Sequence, residues 1–82
     1  MGNRISVISI MFEDNLVAKE VNDILSNYSK NIIARLGLPY KEQNVNIICV
    51  VIDSTEDNIN SLSGKLGKIA GVSVKANYIN KK

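Results

Sequence analysis

An α+β sandwich, with a four-stranded antiparallel sheet carrying two helices on one face, is predicted by three features of this 82-residue sequence. Residues 5–12 form an apolar run closed by Glu13 and Asp14, and residues 45–52 form a second, closed by Asp53. Each acid is followed by apolar residues at helical spacing: Val17, Val21, Ile24 and Tyr28 in the first case, Ile59, Leu62, Leu66 and Ile69 in the second. Each helical stretch leads into another short β-rich run, at residues 32–38 and 72–79. Two βαβ halves in tandem predict one domain over residues 1–82, with the ferredoxin-like βαββαβ order.

Strand one is expected over residues 4–12. Asp14 or Asn15 can cap the first helix by accepting from its orphan amides. That helix should end near Tyr28, where Asn27, Ser29 and Asn31 supply turn chemistry. Strand two, residues 32–38, stops at Pro39, which cannot donate to a ladder. Residues 41–44 are a polar connection to strand three, residues 45–52. Helix two starts at Ser54 or Thr55, and Ser54-Thr55-Glu56-Asp57 has capping-box spacing. Glu56 and Asp57 in its first turn, with Lys65 and Lys68 in its last, complement the helix dipole. Gly64 inside this helix costs about 1 kcal/mol relative to Ala, so the close approach of another backbone is expected there. Gly71 supplies the turn into strand four, residues 72–79.

The alternation within the strands sets the sheet order. Strand four places Val72, Val74 and Ala76 opposite Ser73, Lys75 and Asn77, and strand two places Ile32, Ala34 and Leu36 opposite Ile33, Arg35 and Gly37. Strands with one packed and one wet face belong at edges. Strand three is apolar on both faces, and strand one nearly so, with Ile8, Ile10 and Phe12 opposing Ile5, Val7 and Met11. Those two belong in the centre. Two helices cover one face only, so the other shows an aliphatic stripe. Six such side chains left in water would forfeit on the order of 9–18 kcal/mol, as an upper bound. The bare face is therefore expected to stack on another copy, giving a dimer or tetramer with Ile8, Ile10, Ile48 and Val50 in the interface. A sheet curled enough to shelter the stripe behind a loop is the alternative.

Composition excludes several functions. The net charge is only +2 and aromatic residues make up 5% of the chain, with no Trp, so neither a phosphate-tracking stripe nor a base-stacking surface is expected. No histidine is present, which removes triad, imidazole acid–base and histidine–zinc chemistry. The lone Cys49 cannot form an internal disulfide, suits a reducing cytoplasm, and is expected to be an inert core thiol. No apolar run approaches the roughly 20 residues of a membrane span, and the N-terminal run lacks a signal-peptide cleavage site. Gly64-Lys65 fails as a phosphate loop, because Ile59 stands where the loop needs glycine and Leu66 where it needs Ser or Thr.

The remaining candidates are few. Glu13, Asp14 and Asp53 at strand-to-helix corners read as caps and loop acids. Arg35 and Lys75, on the open face, would hold an anion or form a solvated rim, and Tyr40 at the end of strand two would either pack or face a pocket. These three are the candidate ligand-binding residues. No catalytic set, metal site or cofactor is expected. An enzyme would have to draw on Glu13, Asp14, Asp53, Tyr40 and Lys75.

Several segments are familiar: residues 4–10 (Arg4 to Ile10), Asn22-Asp23-Ile24-Leu25, Ile32-Ile33-Ala34-Arg35-Leu36-Gly37-Leu38-Pro39-Tyr40, and the stretch from Leu62 through Gly64-Lys65-Leu66-Gly67 to Lys75. With consistent spacing over nearly the whole chain, they resemble a family of small ACT-like proteins, the iron-only hydrogenase system regulators of anaerobic bacteria. That family is similar to the ligand-binding domain of the nickel-responsive repressor, standing alone. The resemblance implies the βαββαβ fold, oligomers built from sheets, and a regulatory role near the hydrogenase maturation machinery. Nickel sensing is not carried over, because the histidines of that metal site are absent. Direct nucleic-acid binding is not expected either, since both helices are used by the sandwich. A non-enzymatic cytoplasmic regulator is the resulting expectation, binding a small ligand or a hydrogenase-maturation protein at its subunit contact. A maturation scaffold without a small ligand is the alternative.

Overall fold

The computed structural model describes residues 2–79; Met1 and residues 80–82, part of the domain expected from sequence, lie outside them. The chain runs β1 (Arg4–Phe12), α1 (Ala18–Ser26), β2 (Ile32–Tyr40), β3 (Val45–Ser54), α2 (Glu56–Gly67) and β4 (Val72–Tyr78). The sheet order is β2-β3-β1-β4, with every neighbouring pair antiparallel. The two strands that are apolar on both sides therefore sit in the middle, as alternation requires.

Both helices pack on one face. Val21, Leu25 and Tyr28 from the α1 segment, with Ile59, Leu62, Leu66 and Ile69 from the α2 segment, meet Ile8, Ile10, Phe12, Ile48, Val50 and Ile52 of the central strands. Each fully buried aliphatic side chain contributes about 1.5–3 kcal/mol through removal from water. Ser6, on the same face, is also buried, and its hydroxyl donates to the carbonyl of Asn77 at 2.9 Å, tying β1 to β4.

Local chemistry accounts for the element ends, with some departures from expectation. Asp14 accepts from the amide of Leu16, but the turn it caps is a 3-10 segment, Asn15–Val17, which precedes α1. Thr55 caps α2 by accepting from the amide of Asn58, and the Asn58 side chain reaches back to the Ser54 hydroxyl at 2.8 Å. This reciprocal arrangement replaces the expected Ser54–Asp57 box. Gly71 has φ +84°, the left-handed conformation that a glycine after a helix supplies without strain.

Strand β2 continues through Pro39 to Tyr40, because an edge strand tolerates a residue that cannot donate. It also carries an irregularity between Ile32 and Ala34. That extra residue puts Ile32 opposite Ile52 on the helix side and Ala34, Leu36 and Leu38 on the other, correcting the expectation that Ile32, Ala34 and Leu36 share a face. The expectation for Gly64 is corrected as well: nothing lies within 4 Å of a Cβ placed there, so no backbone approaches.

Candidate functional site: the open face of the sheet

Strand pairing determines which side chains share the face opposite the helices. On β1 and β3 these are the odd-numbered residues, since Val7 pairs with Val51, Ser9 with Cys49 and Met11 with Ile47. On β2 they are Ala34, Leu36, Leu38 and Tyr40, and on β4 they are Ser73, Lys75 and Asn77. Three cross-sheet rows result: Leu38–Ile47–Met11–Ser73, Leu36–Cys49–Ser9–Lys75 and Ala34–Val51–Val7–Asn77. The face is thus aliphatic across β2 and β3 and turns polar at β4. Leu36 is 62% exposed, Leu38 48% and Met11 46%. Among the described residues, no element covers them.

The expected interface residues must be replaced. Ile8, Ile10, Ile48 and Val50 lie under the helices, three of them at 0% exposure, and they cannot meet a second copy. Because side chains alternate with a period of two, the open face belongs to their neighbours Val7, Met11, Ile47, Cys49 and Val51. Cys49, expected in the core, is half-buried on this face. A usable signal was present in the sequence. The even-numbered positions are unbroken Ile, Val and Phe from 8 to 12 and from 48 to 52, whereas the odd-numbered ones include Ser9, Cys49 and Asp53.

The expected ligand residues do not converge. Tyr40 and Lys75 share the open face but occupy opposite edge strands and lie four residues out of line, about 19 Å apart from three strand spacings and the offset along the strands. Arg35 pairs with Val50 and so lies on the helix side, where its guanidinium donates to the side-chain oxygen of Asn22. Sequence alone missed a recess at the end of β1. A cavity of 340 Å³ lies between Met11, Glu13, Val45, Gly71 and Ser73, and a second of 340 Å³ runs past Ser9, Ser73 and Lys75. Both share Met11 and Ser73, so they border the open face. They combine an apolar wall with a hydroxyl, a carboxylate at one end and an ammonium at the other. Among the described residues, no three Cys, Asp or Glu side chains come together in a way that could hold a metal ion. Among the same residues, no helix is long and apolar enough to cross a membrane.

Four antiparallel strands with both helices on one side and a bare opposite side define the class of fold, a ferredoxin-like α+β sandwich of ACT-like form. The ACT domain of GTP pyrophosphokinase from Chlorobium tepidum shares this fold, with a TM-score of 0.77 at 22% identity, covering 92% of this chain and 99% of that one. Within that class the chain belongs to the TM1266-like family, whose description reads "Iron-only hydrogenase system regulator, putative" and which matches residues 4–76. The structure of uncharacterized protein TM1266 from Thermotoga maritima is 37% identical, with a TM-score of 0.90, covering 95% of this chain and 99% of that one. A homoserine dehydrogenase from Thiobacillus denitrificans contains the same fold at 19% identity and a TM-score of 0.66; the match covers 95% of this chain and only 18% of that one. No curated protein sequence matches the chain. The family description names regulation and names no reaction.

Proposed function

We propose that this chain is a cytoplasmic, non-enzymatic regulatory module of an iron-only hydrogenase system. It self-associates through the open face of its sheet, as a dimer or tetramer, and binds a small ligand or a hydrogenase-maturation protein at that contact. The single observation that carries the reading is the uncovered aliphatic field of Val7, Met11, Leu36, Leu38, Ile47 and Val51. A field of this kind on a small protein marks an interface. The family description supports the regulatory half of the reading.

Coupling between ligand and assembly follows from the placement of the recess. A copy stacked on the open face would roof the cavities beside Met11 and Ser73, so a molecule held there would contact both copies. Such a ligand binds the assembled state more tightly than the separate chains and shifts the equilibrium by that difference.

Cys49 reports on this directly, because it is half-buried at the centre of the face. Its labelling by a thiol reagent is expected to slow as protein concentration rises; a rate independent of concentration would contradict self-association. The regulatory role is tested in cells with and without the chain. Altered hydrogenase transcript supports regulation, whereas unchanged transcript with loss of matured enzyme supports a maturation scaffold.

A further inference from the structure

We propose that a trough between α1 and β2, on the helix side of the sheet, binds a small monocarboxylate through Arg35. The trough encloses 250 Å³. It exists because β2 stays exposed along nearly its whole length and presents Gly37 and Pro39 where the inner strands present Ile and Val. No atom lies within 4 Å of a Cβ placed on Gly37. Ala18 of α1 keeps the opposite wall low, and the buried side chains of Phe12 and Ile48 form the floor.

Among the described residues, Arg35 is the one charged residue lining this space. Its guanidinium donates to Oδ1 of Asn22, whose Nδ2 in turn donates to the carbonyl of Ala18 at 2.9 Å. One arm of the fork is thus fixed by a side chain that is itself anchored to the helix backbone. Among the described residues, the ion pairs are Arg4–Glu56 and Lys19–Asp23, and no carboxylate pairs with Arg35. A guanidinium has five N–H donors, so most of the fork is left for a ligand. Across the trough, Asn46 is held in place by donating to Oδ1 of Asn15 at 2.8 Å.

The charge and shape select the ligand class. A planar guanidinium matches a carboxylate in bidentate fashion, and a single cation neutralises a single negative charge. A phosphate dianion would leave one charge uncompensated above an apolar floor, which is unfavourable. A short aliphatic tail, by contrast, would lie against Phe12 and Ile48. The trough opens on the side of the sheet away from the stacking face, so this inference stands independently of self-association.

The test is an NMR titration of the full chain with sodium butyrate, with sodium phosphate in parallel. Butyrate is expected to shift the Gly37 amide and the Arg35 Nε–H saturably, and phosphate to bind less tightly. Arg35→Gln should weaken butyrate about tenfold or more, the factor lost with one hydrogen bond to a charged group. Gly37→Leu should weaken it similarly by filling the trough. Position 37 has open space and no positive φ, so this variant should fold. Absence of saturable shifts in the wild type, equal binding of phosphate, or unchanged butyrate affinity in both variants would each overturn the proposal.

Discussion

The two faces of this sheet are built from similar side chains and have opposite surroundings. On one, Ile8, Ile10, Val50 and Ile52 are sealed at 0% exposure by two helices. On the other, one residue away along the same strands, Val7 remains 40% exposed and Met11 46%. Composition cannot explain the difference, since both sets are aliphatic. The number of helices explains it: two helices cover one face of a four-stranded sheet and leave the second open. Burial against the helices stabilises the fold, and burial of the open face is available to stabilise an assembly.

Substitutions on each face separate these roles. The largest effect is expected in the helix-side core, where Leu62→Ala should cost about 2–5 kcal/mol in chemical denaturation, through lost transfer energy and a residual cavity. That is a large share of the roughly 5–15 kcal/mol that holds a domain folded. Leu36→Lys on the open face should leave monomer stability within about 0.5 kcal/mol. It should nevertheless weaken self-association by about 2–4 kcal/mol, as expected at an interface hot spot. A large loss of monomer stability in Leu36→Lys would erase the contrast between the faces.

Smaller effects sharpen the account of the helices that create the asymmetry. Thr55→Ala removes the acceptor for the Asn58 amide and should destabilise the fold by about 1 kcal/mol, measured by thermal denaturation. Gly64→Ala should stabilise it by about 0.5–1 kcal/mol, since helix propensity improves and no neighbour is met. The smallest effect concerns two tyrosines on the helix side. The hydrogen bond from Ser61 holds the Tyr28 hydroxyl below its ordinary pKa, outweighing the opposing effect of burial, and Lys65 adds to the lowering. Burial pushes Tyr78 up, with the charge of Glu56 adding and that of Arg4 opposing. Tyr28 should therefore ionise before Tyr78 in an alkaline titration, and Tyr28→Phe should remove the earlier step. Because its folded pKa is depressed, ionised Tyr28 adds stability above the ordinary tyrosine value, whereas Tyr78, raised, subtracts it there. The net dependence of stability on pH in that range should be small.

Much of the architecture was legible in the sequence. The two acid-terminated apolar runs, the helical spacing that follows each, and the mixed character of strands two and four sufficed for the element order and for which strands are central. Face assignment was harder to read, because strands apolar on both sides mark the parity that the helices take only through Ser9, Cys49 and Asp53 among the odd-numbered positions. Sequence alone therefore puts Ile8 and Ile10 on the open face, whereas the structure puts Val7 and Met11 there. The irregularity at Ile33 was hidden too: nothing in Ile32-Ile33-Ala34 announces an extra residue, yet it reverses every side chain that follows, including Arg35. The recess beside Met11 and Ser73 joins segments some sixty residues apart, a proximity set by pairing between β1 and β4 and invisible to local spacing.

Sedimentation velocity of the full chain over a wide concentration range tests the central claim most directly. A boundary that shifts from monomer to dimer or tetramer as concentration rises, and stays monomeric in Leu36→Lys, is the predicted result. A wild-type chain that remains monomeric at high micromolar concentration would contradict it.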